Sequence, residues 1–183
     1  MPPPAMTPST IEFFASAEDR RVAGLAAAAI GLTLAEAAIP LPIPGIKPGL
    51  ANIVTLLVLY RYGWRTAAWV AGLRIVAGAL ALGQFLTPAF VLSLTGGAMS
   101  LLVLAIAIRL PSTWVGPVGL SLLAAFAHIG TQLMVVDVWL LPGASILGLL
   151  PIFLGAAWIT GLANGLATVH LLKSNPESTE PPQ

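Results

Sequence analysis

The sequence has no cysteine and few charged residues of either sign. The absence of cysteine excludes disulfide bonds, thiol nucleophiles and cysteine metal ligands. Only 8% of the residues are charged, whereas ordinary soluble domains carry about 25%. Because the formal net charge is +1, there is no basic face to bind nucleic acid. An ordinary soluble domain and a nucleic-acid-binding protein are both excluded.

Carboxylates are also scarce in the central part of the chain, where Glu36 and Asp137 are the two present between residues 22 and 172. There is no Asp-rich motif that could hold a diphosphate through magnesium. No nucleotide-binding loop occurs, so the chain does not hydrolyse ATP by itself. His128 and His170 lie too far apart to predict a metal cluster. The sequence shows no catalytic constellation and implies neither metal nor cofactor, which leaves open a non-catalytic place in an enzyme assembly.

Hydrophobic residues are abundant, at 57% of the chain with a mean hydropathy of +0.93. They form successive apolar runs separated by Pro, Gly or Arg, a pattern typical of proteins with several membrane helices. We therefore predict an all-α integral membrane protein. Its six-helix membrane domain covers residues 22–173, and residues 1–21 and 174–183 are predicted to be disordered cytoplasmic tails.

The second of the six predicted spans is unusually short. Its 12 residues make a helix of roughly 18 Å, against a bilayer core of about 30 Å. Either the Pro-rich connector before it completes the crossing, or residues 40–60 re-enter the membrane. The six spans are Val22–Ile39, Gly49–Tyr60, Thr66–Phe85, Ala89–Ile108, Val115–Leu140 and Ala144–Leu172.

Positive charges gather at one end of these spans. If both termini are cytoplasmic, Lys47 is the one cation in an outer loop, and the opposite orientation reverses this distribution. The positive-inside rule therefore predicts an N-in, C-in topology. The residues placed at the inner face are then Arg20, Arg21, Arg61, Arg65, Arg109 and Lys173.

The Pro-rich connector between the first two spans is the first candidate site. Proline blocks helix continuation, so backbone carbonyl groups are left unpaired near a membrane boundary. Glu36 precedes the connector and Lys47 lies within it. Lys47 either snorkels to the outer interface or attracts an anionic group, helped by the dipole of the helix that begins at Gly49.

Charged and polar residues within the spans extend this candidate site. Glu36 and Arg74 lie where charge is costly, and they either form a structural ion pair, with each other or with Asp137, or contact a substrate. Because polar groups in membranes generally face the bundle or a wet cavity, a cavity open to the outside is predicted. The segment from Ser93 to Ser100 serves either that cavity or close helix packing. The other polar residues predicted at the outer ends include Asn52, Ser93, Thr95 and Gln132.

Small residues recur at four-residue spacing on the first span, beginning with Ala23 and Ala27. Such spacing lets two helices approach closely. It is typical either of packing inside the bundle or of docking onto another membrane subunit.

Several blocks of the sequence resemble a known bacterial membrane family. The longest begins at Pro44-Gly45-Ile46-Lys47 and continues through Gly49–Leu56. Further blocks are Glu36 with Ile39-Pro40, Arg74-Ile75, Ser93-Leu94, Gly96-Gly97 and Ser100. Over roughly residues 25–170, the chain resembles the family described both as heptaprenyl diphosphate synthase component I and as the Gx transporter family. Pro48 stands where that family pattern leads us to expect an aliphatic residue.

The resemblance implies a six-helix fold similar to the substrate-binding subunits of energy-coupling-factor importers, in the bacterial inner (cytoplasmic) membrane. Those subunits bind a small vitamin or precursor in an outward-facing pocket. They dock through small residues of the first helix, here Ala23 and Ala27, onto a membrane scaffold driven by ATPase subunits. The pocket residues implied are Glu36, Lys47, Asn52 and Arg74, with Ser93, Thr95 and Gln132 as secondary candidates.

Three functions are compatible with the sequence. The first is capture of a small-molecule substrate for such an importer. The alternative is a membrane accessory subunit (component I) of a heptaprenyl diphosphate synthase, with a prenyl chain in its apolar grooves and the diphosphate on Lys47 or Arg74. A third is a non-catalytic scaffold in a membrane redox assembly.

Overall fold

The computed structural model describes residues 15–39, 49–111, 115–142 and 146–174, and most of these residues are α-helical. These ranges contain five α-helices, two short helical turns and no strand, so the predicted all-α architecture is confirmed for them. The elements are α1 (Ala17–Ala37), α2 (Leu50–Ala81), α3 (Pro88–Ala107), α4 (Pro117–Val135), a π-helical turn (Val136–Leu140), a 3₁₀ turn (Ile146–Leu149) and α5 (Leu150–Ser174).

Helix α2 covers most of the second and third predicted spans as one element. The stretch between those spans is helical except at Gly63, whose φ is 81° and ψ 177°. The stretch contains no proline, so helical hydrogen bonding resumes directly after the glycine. The predicted count of six helices is therefore not confirmed, because one non-helical residue, rather than a loop, divides α2 into two arms.

Replacing Gly63 by alanine is expected to lower the free energy of unfolding by about 1–2 kcal/mol, since this backbone region is almost restricted to glycine. A Cβ at this position would meet no atom within 4 Å, so the loss would come from the backbone alone. Gly72→Ala is the matched control, because Gly72 has equally open space on the same helix. Alanine there should be neutral or stabilise by up to about 1 kcal/mol. Equal melting temperatures of the two variants in detergent would contradict the prediction.

Helix α1 begins earlier than predicted. Ser16 and Asp19 form a capping box, in which the Asp19 N–H donates to Ser16 Oγ at 3.1 Å and the Ser16 N–H donates to Asp19 Oδ2 at 2.9 Å. The hydrogen bonds from Ser16 lower the pKa of the Asp19 carboxyl. The box moves the start of α1 into the predicted first tail, and α5 reaches one residue into the second, at Ser174. The remaining tail residues, 1–14 and 175–183, lie outside the described ranges.

Three of the helical segments are long and apolar enough to cross a membrane. They are Pro88–Ala107, Pro117–Leu140 and Leu150–Ser174. α3 and α4 both begin with proline, which is favoured at a first helical position because its missing N–H has no helical partner there. These lengths and compositions support a membrane protein, while the orientation and the bacterial inner membrane stay predictions.

The helices pack mainly against their neighbours in the chain. α1 packs on α2, α4 lies between α3 and α5, and α2 joins the two groups through smaller contacts with α3 and α5. The core between them is apolar. Its largest fully buried apolar side chains are Leu56, Val58, Val70 and Leu120.

One end of the bundle collects basic and aromatic residues. The Arg21 guanidinium lies over the Tyr62 ring at 5.0 Å, and Arg61 Nη2 donates to the Leu171 carbonyl at 3.3 Å. The start of α1, the middle of α2 and the end of α5 therefore meet there. In the predicted topology this is the cytoplasmic end.

Candidate functional site

A cavity of about 690 Å³ lies between the helices, within the range of roughly 300–1,000 Å³ that is usual for small-molecule sites. All five helices and the π-helical turn line it, mostly with apolar side chains. The lining on α1 begins at Thr33 and that on α5 ends at Asn164. On α1 and α5 the lining therefore lies in the half of each helix remote from Arg61 and Leu171, which is the outer half in the predicted topology, whereas on α3 it extends from Ala89 to Leu104.

Glu36 joins the last turn of α1 to the first residue of α2. Its side chain is 5% exposed, and its carboxylate accepts a hydrogen bond from the backbone N–H of Leu50. The first N–H groups of a helix lack partners within the helix and carry partial positive charge. Gly49, at the N-cap of α2, has no side chain to satisfy them. Glu36 therefore caps α2 from another helix, at the wall of the cavity.

Gly49 is fixed from the opposite side by α5. Its φ of +75° is a left-handed conformation, and a Cβ there would lie 3.0 Å from Asn164 Nδ2. The same Asn164 nitrogen donates to the Gly49 carbonyl at 3.1 Å. Glycine therefore suits this position, because a side chain would strain the left-handed backbone and crowd Asn164, and the start of α2 is held between α1 and α5.

Arg74 is the cation of the cavity lining on the second arm of α2. Its Nη2 donates to Asn52 Oδ1 at 3.4 Å, and its Nε is buried with no hydrogen-bond partner among the described residues. Arg74 lies within electrostatic range of Glu36, but the described ranges contain no ion pair between them. No ion pair joins Arg74 to Asp137 among the described residues, and Asp137 is exposed on the π-helical turn.

Polar groups of α3 and α4 form another part of the wall. Gln132 Nε2 donates to the Leu92 carbonyl at 3.2 Å, and Ser100 Oγ donates to the Ala124 carbonyl at 2.8 Å. The His128 ring lies against the backbone of Gly96, where a Cβ would come within 3.0 Å of three ring atoms. The sequence already indicated that His128 lies on the same face of α4 as Gln132, because the two residues are one turn apart.

The structure brings together most of the predicted site residues. Those that line the cavity are Glu36, Asn52, Arg74, Ser93 and Gln132. Thr95 does not line it, and its hydroxyl donates to the Val91 carbonyl of its own helix at 2.8 Å. Lys47 lies outside the described residues, as does the rest of the connector. The binding of a substrate by the lining residues stays a prediction.

Several hydroxyl groups of the lining were not predicted. Thr33, Thr55 and Thr160 each donate to the carbonyl four residues earlier in their own helix. This local bond is common for threonine in helices and leaves no hydroxyl proton for a ligand. No sequence signal separates these threonines from the others in the chain. Among the described residues, no three His, Cys, Asp or Glu side chains are placed to hold a metal ion.

Ala23 and Ala27 are both exposed on α1. A Cβ added at Gly24 or Gly31 would meet nothing within 4 Å. Among the described residues, these positions show no close packing inside the bundle. Docking of a partner on this face stays a prediction.

The family model described as heptaprenyl diphosphate synthase component I matches residues 25–171 of the chain. This range includes every residue of the cavity lining. The family resemblance predicted from the sequence blocks is therefore confirmed. Neither a curated protein nor a solved structure matches the chain.

Proposed function

Because the chain belongs to the heptaprenyl diphosphate synthase component I family, we propose that it is the membrane-embedded component of a prenyl diphosphate synthase made of several subunits. The family description implies a partner subunit. The observation that carries the proposal is the largely apolar cavity of about 690 Å³ within the matched range. A cavity of this kind suits the hydrocarbon chain of an isoprenoid.

The proposed role is to hold the isoprenoid and present it, while the partner subunit carries out the chemistry. Of the two carboxylates between residues 22 and 172, Glu36 is engaged with the start of α2. Asp137 is exposed on the π-helical turn and does not line the cavity. Neither is placed to assemble a magnesium-diphosphate centre with the other.

The test is to purify the tagged chain from its native membranes in mild detergent and to identify the proteins that accompany it by mass spectrometry. We expect a soluble prenyl diphosphate synthase subunit. Adding the purified chain in lipid nanodiscs to that subunit should change the rate or the length of the products. A preparation that contains ATPases and no synthase subunit would reject the proposal.

A second candidate function is substrate capture for an importer, and the exposed small-residue face of α1 favours it. If this face docks onto a scaffold, Ala27→Leu should remove the scaffold and its ATPases from the preparation, because a large side chain prevents close helix approach. Ala163→Leu is the matched control, since Ala163 is equally exposed on α5. If both variants retain the same partners, the α1 face has no docking role.

A further inference from the structure

The end of the bundle that holds the Arg21–Tyr62 contact carries most of the charge of the described residues, and we call it the basic end. Six cations lie there against two carboxylates, Glu18 and Asp19. At the opposite end Asp137 is exposed, and the described residues include no exposed cation. The cations of the basic end are Arg20, Arg21, Arg61, Arg65, Arg109 and Lys173. The tail carboxylates Glu12, Glu177 and Glu180 lie outside the described ranges.

Contacts in the core show that four helices meet at the basic end. Val22, Tyr62 and Ile108 pack against the same buried cluster, which joins the start of α1, the break in α2 and the end of α3. The bond from Arg61 to the Leu171 carbonyl adds the end of α5. Each of the six cations lies within three residues of one of these contacts. The cations therefore form one surface around the break in α2.

Three guanidinium groups of the basic end are held in place by the fold. Besides the Arg61 contact, Arg21 lies over the Tyr62 ring, and Arg20 Nη1 donates to the Ala15 carbonyl at 3.0 Å. The positive-inside rule accounts for the presence of cations at a cytoplasmic end, but it does not require that their side chains be fixed. A side chain that is already ordered loses less conformational freedom when a partner binds.

An exposed tryptophan lies among these cations. Trp64 directly follows Gly63 and is 38% exposed, because a single non-helical residue rather than a loop joins the two arms of α2. Leu110, next to Arg109, is also exposed. Arginine and aromatic residues are enriched in protein–protein interfaces and dominate their binding energy. The basic end therefore combines a charged rim with an apolar anchor.

We infer that the basic end is the surface on which the soluble synthase subunit docks, through an acidic face of that subunit. The inference rests on the proposed function, which requires such a subunit, and it specifies where the subunit binds. A soluble protein can reach a membrane bundle only at one of its two ends, and the basic end is the one that offers several exposed charges of one sign. Opposite charge on the partner speeds the encounter and selects its orientation. In the predicted topology the basic end faces the cytoplasm.

The test measures binding of the purified synthase subunit to the full chain in nanodiscs of neutral phosphatidylcholine. Raising the salt concentration from about 50 to about 500 mM should weaken wild-type binding, since exposed charges are screened. The double variant Arg65→Gln/Arg109→Gln should bind roughly 2- to 30-fold more weakly at low salt and depend less on salt. Both arginines are exposed, so the fold is kept. Asp137→Asn, which changes one charge at the opposite end, is the control and should bind as the wild type does.

Trp64→Ala tests the apolar anchor of the same surface. Loss of a central tryptophan should weaken binding by roughly 10- to 30-fold at either salt concentration. Trp69→Ala is the matched control, because Trp69 is 63% exposed on the same arm of α2 but lies farther from the basic end. It should keep wild-type affinity. Wild-type affinity in Trp64→Ala or in the double arginine variant would overturn the inference.

The outcomes separate failure of the docking surface from failure of the proposed function. If the subunit binds the wild type and the variants equally, the docking surface is wrong and the function stands. If it does not bind the wild type at either salt concentration, the proposed function itself fails.

Two other occupants of the basic end would also overturn the inference. The first is lipid, shown by variants that bind the subunit normally but retain less phosphatidylglycerol from anionic nanodiscs. The second is the acidic tail of the chain itself. It is shown if removing residues 175–183 strengthens binding of the subunit while the Arg65→Gln/Arg109→Gln and Trp64→Ala variants lose none.

Discussion

Replacing Glu36 by alanine is expected to lower the free energy of unfolding by about 3 kcal/mol. Two losses combine in this change. The Leu50 N–H loses its acceptor, and an unpaired buried donor costs about 1–3 kcal/mol. Arg74 also loses the field of the nearby carboxylate. Thermal unfolding followed by circular dichroism in detergent, at fixed detergent and salt concentrations, measures the change.

Glu36→Gln separates capping from charge, since the amide retains an oxygen that can accept from Leu50 but carries no charge. We expect about half of the alanine effect, on the order of 1–2 kcal/mol. Glu18→Ala is the control on the same helix, because Glu18 is an exposed acidic residue in the first turn of α1. Its removal should cost less than about 1 kcal/mol. If Glu36→Ala behaves like Glu18→Ala, the carboxylate does not hold α2.

A double-mutant cycle with Arg74→Met tests the electrostatic share of the effect. If Glu36 stabilises Arg74 through its field, Glu36→Ala should be less damaging in a protein that already has methionine at position 74. The difference measures the coupling between the two side chains. Additive effects would show that Glu36 acts only on the start of α2.

The sequence allowed the helices and most of the polar cavity residues to be predicted, because both depend on strong local signals. Long apolar runs punctuated by Pro and Gly predict membrane helices whatever their neighbours are. A charge such as Glu36 or Arg74 inside such a run must find a partner or a polar space. Both residues therefore lie at the cavity wall, as the sequence implied.

The contacts of those residues could not be predicted, because helices that are hydrophobic on every side do not reveal which side faces the bundle. Thr95 illustrates this, since it was predicted at the site but does not line the cavity. Glu36 illustrates a second limit: its partner is a backbone N–H of another helix, a group that every residue except proline possesses. The sequence also did not show whether the second and third predicted spans are separated by a loop or by a kink. In the structure the break is a single residue, Gly63, whose φ is positive.

Replacing Gly165 by alanine is expected to be as damaging as losing Glu36, with a loss of about 3 kcal/mol in the free energy of unfolding. Gly165 lies where α5 packs on α4, and a Cβ there would come within 2.6 Å of Val118 Cα. At Gly161, one turn earlier, a Cβ would lie 3.2 Å from Leu122 Cα, a close but milder approach. Since the obstacle is backbone, α4 and α5 would have to move apart along their whole contact, as in other membrane helices that meet through small residues.

Gly97→Ala is the decisive comparison, because it creates an overlap of the same size against a different kind of atom. A Cβ at Gly97 would also lie at 2.6 Å, but from Ile75 Cδ1, the end of a side chain that can rotate away. We therefore expect a loss below about 1.5 kcal/mol there. Gly155→Ala on α5, which would meet nothing within 4 Å, should be neutral or slightly stabilising. Measured in the same detergent, Gly165→Ala should have a clearly lower melting temperature than Gly97→Ala and Gly155→Ala. If Gly97→Ala and Gly165→Ala unfold at the same temperature, backbone contact between α4 and α5 does not set the stability of this bundle.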